Sequence, residues 1–265
     1  MSFIFYLFFI IIHILLLKFL NIISPKIHLI DYPDERKIHK GNIPLIGGLS
    51  IAIIIFLSFF IIEYNFYIKI IILTSYFLLF IGLLDDLFNI GIIIRFIFQF
   101  VCCFILLFFD IRIFNLGLFE DPNTDLSYFA IILTFITVIS FTNAVNFIDG
   151  IDGLAIGVIL NCIFSIIIFT YFSGGIINYD LIKILSIVSI IFLLSNLGII
   201  TPKCFLGNSG SLFLGFLISY LFIFYTLPWN RSFHPLLTIW CAPFVVFEFI
   251  SIILCRIIKK KNSFK

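Results

Sequence analysis

The chain has 265 residues, of which 63% are hydrophobic and 11% charged, with a formal net charge of +2 and a mean hydropathy of +1.28. A water-soluble domain is roughly 45–50% apolar and about 25% charged, so these residues cannot coat a particle in water and lipid must be the main solvent. The near-neutral balance also excludes a strongly basic nucleic-acid surface, and no nucleic-acid partner is expected. Residues 1–20 are apolar from the start, without a basic leader or an A-x-A cleavage site. They read as a retained first helix rather than a signal peptide.

Spanning a bilayer takes about 20 apolar residues per helix. Runs of that kind fall at 2–23, 45–62, 67–84, 91–109, 127–145, 154–173, 181–200, 210–228 and 235–257. The expected fold class is therefore an all-α integral membrane protein of about nine transmembrane helices. With the N-terminus outside and the C-terminus cytoplasmic, 12 of the 16 basic residues lie on the inner side and 4 on the outer. That asymmetry obeys the positive-inside rule. The cysteines (Cys102, Cys103, Cys162, Cys204, Cys241 and Cys255) form no C-x-x-C pair, and neither a disulfide framework nor a zinc site is indicated. Most sit in apolar runs, where a thiol acts as a small hydrophobe.

The polar clusters fall on the inner loops, which makes the cytoplasmic face the expected home of the active site. The loop 24–44 carries Arg36, Lys37, His39 and Lys40 ahead of Pro44 and the Gly47-Gly48 pair. Its cations suit an anionic substrate, or they mark the cytoplasmic side and touch lipid headgroups. Asp85 and Asp86 follow an apolar run and are expected in a turn at the interface. A carboxylate costs about 2.5–3.5 kcal/mol at the bilayer centre, and adjacent carboxylates repel unless a cation or a shared proton relieves them. The pair reads as a Mg2+ or phosphate-activating site, or as a solvated loop. In the segment Asn143-Ala-Val-Asn146-Phe-Ile-Asp149-Gly-Ile-Asp152-Gly153, the polar residues recur at every third position. A three-residue step drifts by about 60° around an α-helix, so all four cannot share one helical face. A broken end near Gly150 and Gly153 would turn them towards one cavity. Asn and Asp oxygens suit a hard cation, and amides can donate to a sugar or phosphate; an Asx-rich turn capping a helix is the plainer alternative. Finally, Phe205-Leu-Gly-Asn208-Ser209-Gly-Ser211 leads into an apolar helix, whose open N–H groups would make an anion site. Ser209 or Ser211 as an ordinary N-cap is equally good.

Together, DYPDERKIHKGNIPLIGG (31–48), DDLFNIGIIIRFIFQ (85–99), NAVNFIDGIDGLA (143–155) and FLGNSGSLFLG (205–215) resemble the polyprenyl-phosphate N-acetylhexosamine-1-phosphate transferases. The stretches follow that family's order and spacing over residues 1 to 257, the third being the most specific. Arg36-Lys37-x-His39 and Ile43-Pro-Leu-x-Gly-Gly48 are more similar to the N-acetylglucosamine branch than to the muramoyl-pentapeptide branch. The resemblance implies attack by a lipid-carrier phosphate on the sugar-linked phosphate of a UDP-N-acetylhexosamine, releasing UMP and forming a lipid diphosphosugar for envelope glycans. It implies Mg2+, with Mn2+ as a substitute, because charge accumulates on phosphate oxygens. By motif position, Asp85 would orient or deprotonate the lipid phosphate, with Asp86 beside the metal. Asn143, Asn146, Asp149 and Asp152 would line the nucleotide–sugar pocket, Phe205 would stack on uracil, and Lys37 or Lys40 would bind the nucleotide. The implied metal ligands are Asp86, Asp152 and Asn208. Polyprenyl phosphate, the UDP-sugar and membrane lipid are the implied partners, a homodimer is allowed, and the place is the inner (plasma) membrane.

Three positions depart from the family pattern. Asn208 stands where the family has Asp, and Glu248 also replaces an Asp. An amide oxygen ligates without charge, so metal affinity should fall. A multi-span domain over 1–257 is expected to end in a short basic cytoplasmic tail, 258–265, in place of the family's His-x-His-His loop and further helices. A catalytically impaired relative that binds the lipid carrier or a partner is the alternative. A transporter fits less well, because the acids gather at one interface and Glu248 alone lies within a span.

Overall fold

The computed structural model describes residues 3–32, 41–116, 127–173 and 179–230, followed by 232, 234–241, 243, 247 and 251. Lys37, Lys40, Glu248 and the tail 258–265 lie outside the described residues. The described chain is helical apart from one short antiparallel ladder, β1 (Ile30–Asp31) with β2 (Ile43–Pro44), in the register Ile30 to Pro44.

The helices are α1 (Phe3–Ile23), α2 (Gly47–Ser58), α3 (Phe66–Phe88), α4 (Ile92–Phe108), α5 (Ser127–Ile148), α6 (Leu154–Ser173), α7 (Tyr179–Asn196), α8 (Gly207–Thr226) and the five described residues of α9 (Leu237–Cys241). Five stretches are long and apolar enough to cross a membrane: Ile4–Ile23, Phe66–Phe88, Tyr128–Ile148, Leu154–Ser173 and Gly207–Thr226. The protein is thus an all-helical membrane protein, as its composition demands. Two sequence boundaries move. Asp85 and Asp86 belong to the last turn of α3 rather than to a separate turn, because α3 continues to an αL cap at Asn89, whose N–H bonds the Asp85 carbonyl. Asn143 and Asn146 are likewise inside α5, and the helix breaks only at the Asp149–Gly153 turn.

α1 shows how the lipid face is written. Ile4, Phe8, Ile11, Leu15, Phe19 and Ile22 form an exposed stripe at helical spacing, while Phe9, His13, Leu17 and Leu20 are buried. α8 is the reverse, a helix enclosed by its neighbours almost throughout. A Cβ added at Gly48 would lie 2.1 Å from the Gly210 Cα, and one at Gly82 would lie 2.4 Å from the Ser209 Cα. α2 and α3 therefore meet α8 backbone to backbone. In lipid, where tails are as apolar as leucine, such small-residue contacts are what hold helices together.

Candidate active site

The polar ends of α3, α5, α7 and the starts of α2, α4, α6 and α8 share one end of the bundle. The 41–48 segment is bonded to both its neighbours there. Leu45 N–H donates to the Leu29 carbonyl (3.0 Å), and Phe205 N–H donates to the Pro44 carbonyl (2.8 Å). Gly47 and Gly48 N–H donate to the carbonyls of Phe205 and Leu206, each at 2.9 Å. Residues 44–48 and 205–206 thus form one wall.

The acids surround the start of α8. Asp86 accepts the N–H of Asn208 at 2.9 Å and of Ser209 at 3.0 Å, and the Gly207 N–H bonds Asp149. This corrects the expectation of an open anion site. The N–H groups that the helix leaves orphaned are capped by carboxylates from α3 and from the 149–153 turn, which also suit the positive end of its dipole. Neither Ser209 nor Ser211 is the N-cap; both lie inside α8, and Ser211 Oγ donates to the Gly207 carbonyl. Gly207 itself adopts φ +78°, and a Cβ there would strike the Asp86 carboxylate at 2.8 Å. Glycine is the residue that lets Asp86 reach the helix end.

Asp85 is buried and pairs with Arg95 of α4 at 3.0 Å. Asn146 Nδ2 donates to Asn208 Oδ1 at 2.8 Å and to Ser211 Oγ at 2.7 Å. On the rim, Asp152 pairs with Lys203, whose ammonium lies 5.3 Å from the centre of the Phe205 ring. Burial raises the Asp149 carboxyl well above the ordinary carboxylate range, and the nearby negative charges of Asp86 and Asp152 push the same way, against the Gly207 N–H.

Of the expected site residues, Asp85, Asp86, Asn146, Asp149, Asp152, Phe205 and Asn208 come to this one end. Asn143 does not join them. It is buried between α4 and α5, where its amide exchanges hydrogen bonds with Gln99 (2.7 and 3.4 Å) and donates to the Ile139 carbonyl. It lies about one helical turn before Asn146 and is engaged by Gln99 instead. Each of the expected metal ligands Asp86, Asp152 and Asn208 already has a protein partner. Asp86 is held by two amides, Asp152 by Lys203, and the Asn208 oxygen by Asn146. Among the described residues no three or more His, Cys, Asp or Glu side chains are gathered as a metal-ligand cluster.

Sequence reading counts Arg95 and Lys203 among the inner-side charges without giving them a part in the site, and it does not single out Asn196. Asn196 closes α7, accepting the Gly153 N–H at 2.6 Å and donating to the Cys204 carbonyl at 2.9 Å. For Arg95 and Asn196 the available signal is a lone cation or amide in an apolar run, since such groups need partners in lipid.

The structure is that of a membrane protein, a bundle of apolar helices with carboxylates, amides and cations gathered at one end. The profile of glycosyl transferase family 4 matches residues 68–226, and the chain belongs to that family. It is 30% identical over 257 residues to the undecaprenyl-phosphate alpha-N-acetylglucosaminyl 1-phosphate transferase of Escherichia coli K12, covering 94% of this chain and 70% of the relative. The Salmonella typhimurium protein of the same name is 30% identical over 249 residues, covering 91% of this chain and 67% of its own length. The Yersinia pestis one is 29% identical over 249 residues, covering 91% and 68%.

Proposed function

We propose that this chain transfers N-acetylhexosamine-1-phosphate from a UDP-sugar to polyprenyl phosphate, releasing UMP and leaving a lipid diphosphosugar for cell-envelope glycan synthesis. The observation that carries the reading is the gathering of Asp85, Asp86, Asn146, Asp149 and Asp152 around the start of α8. A membership of the glycosyl-1-phosphate transferases supports it. In the reaction, an oxygen of the lipid phosphate forms a bond to the sugar-linked phosphorus. The bond from that phosphorus to the bridging oxygen breaks, and its electron pair leaves with UMP.

Asp85 orients or deprotonates the lipid phosphate, and Arg95 beside it offsets the approaching negative charge. Asp86 holds the end of α8 in place. Asn146, Asp149 and Asp152 line the nucleotide–sugar side, Phe205 offers a ring face to uracil, and Lys37 or Lys40 adds a cation from the first loop. Mg2+ or Mn2+ enters the reading through the family resemblance and supplies positive charge to phosphate oxygens when bound. The charge asymmetry supports nine spans with the N-terminus outside, the site on the cytoplasmic face and a multi-pass place in the plasma membrane. The test is UMP release by purified protein given undecaprenyl phosphate, Mg2+ and a panel of UDP-N-acetylhexosamines. Release that stops with EDTA is expected.

One observation favours a second reading, a weakened enzyme that still binds the lipid carrier: Asn208 is neutral and its oxygen is held by Asn146. If native protein releases no UMP with any sugar while Asn208→Asp does, that second reading replaces the first.

A further inference from the structure

Asn196 is 5% exposed, and both halves of its amide are engaged. An amide offers an acceptor and a donor side by side, a combination that a carboxylate, hydroxyl or alkyl group cannot reproduce in one fixed geometry. Its two partners lie in separate loops. Gly153 directly follows Asp152, and Cys204 stands between Lys203 and Phe205. Each anchor is therefore one residue from a member of the Asp152–Lys203 ion pair, and Lys203 in turn lies over the Phe205 ring. Gly153 has φ +75°, so its N–H is presented by a turn that only glycine adopts without strain. The loop that starts after Asn196 is tied back to α7 by Ile199 N–H to the Leu194 carbonyl at 2.8 Å. Asn196 therefore bonds across from a fixed helix end to two backbones.

We propose that Asn196 is a positioning residue for the nucleotide–sugar side of the site, setting the separation of Asp152 from Lys203 and Phe205 through its bonds to Gly153 and Cys204. It acts through those loops and touches no reacting atom. The Asp85–Arg95 pair is built from α3 and α4, and among the described residues it is not bonded to Asn196, Gly153 or Cys204. This inference rests on the transferase reading above and predicts an effect confined to one substrate.

The test uses the full chain in detergent, as wild type, Asn196→Leu and Asn196→Asp. UMP release is measured while UDP-N-acetylglucosamine and undecaprenyl phosphate are varied in turn. Asn196→Leu should raise KM for the UDP-sugar by about tenfold, the scale of one lost buried hydrogen bond. KM for the lipid phosphate should stay within about twofold, the size of an effect outside the changed contact. Asn196→Asp keeps the acceptor for Gly153 but sets a carboxylate oxygen against the Cys204 carbonyl, and should show the same selective rise. Equal rises for both substrates, or a fall in kcat alone that follows a lower Tm, overturn the proposal. If Asn196→Leu does not fold, Asn196→Asp decides by the same criterion. Absence of turnover in the wild type sinks the transferase reading instead. Equilibrium binding of UDP-N-acetylglucosamine then decides for Asn196: weaker binding by the variants supports the role, and equal or absent binding in wild type and variants overturns it.

Discussion

α1 and α8 are both apolar helices of nearly equal length, 21 and 20 residues, yet their surroundings are opposite. The spanning window of α1 is 22% buried, whereas that of α8 is 94% buried, although α1 has the higher mean hydropathy, 2.4 against 1.6. In water the more apolar helix would sit inside. In lipid the order inverts, because aliphatic side chains lose nothing by facing acyl tails, while small and polar residues gain by facing other helices. Gly207, Ser209, Gly210, Ser211 and Gly215 thus mark the centre of the molecule.

That contrast can be broken at its strongest point by Gly210→Val. A Cβ at Gly210 would lie 2.5 Å from the Gly48 Cα, and backbone cannot swing away as a side-chain tip can. We expect a loss above about 3 kcal/mol, the upper range of overpacking, seen as aggregation on size exclusion and a collapsed Tm. Asp86→Ala comes next. It leaves the Asn208 and Ser209 amides uncapped, at a cost of about 1–2 kcal/mol by analogy with lost N-caps, and UMP release should be abolished.

Asp149→Asn is smaller and changes sign with the property measured. An acid whose folded-state pKa lies above its unfolded value carries no penalty below the unfolded value, and destabilises progressively as pH rises towards the folded value. The Tm of Asp149→Asn relative to wild type should therefore increase as pH is raised from about 4 to about 8, starting near the ordinary carboxylate value. Turnover should fall even so. A Tm difference independent of pH would show that Asp149 is not held in an acid-raising site. Smallest is Leu15→Ala on the lipid stripe of α1, where the side chain is 58% exposed. A change within about 0.5 kcal/mol is expected, as for other substitutions away from packed sites.

The all-helical membrane class and the end that carries the polar groups are legible because hydropathy and loop composition are local properties. Five of the nine apolar runs correspond to helices long enough to cross a membrane, while α2 and α4 are shorter. The αL cap at Asn89 is not legible, and so Asp85 and Asp86 are expected beyond the helix rather than in its last turn. Partners were harder still. Asp86 and the amides it caps are 122 and 123 residues apart in sequence, and Asn146 and Asn208 are 62 apart. Which of them meet depends on where α3 and α5 cross α8, and those crossings are set by Gly82 and Gly215. The three-residue recurrence from Asn143 to Asp152 says that the four cannot all share one helical face, but only the position of Gln99 shows that Asn143 serves the α4–α5 contact.

The bonds that join Leu45 to Leu29, Phe205 to Pro44, and Gly47 and Gly48 to Phe205 and Leu206 have a thermodynamic consequence for ligand binding. A wall of independent loops would lose conformational entropy each time a substrate arrived, weakening the observed affinity. Here residues 44–48 and 205–206 have already lost that freedom when the bundle assembles. A substrate then meets a surface whose disorder was removed by folding, and more of its contact energy remains as affinity.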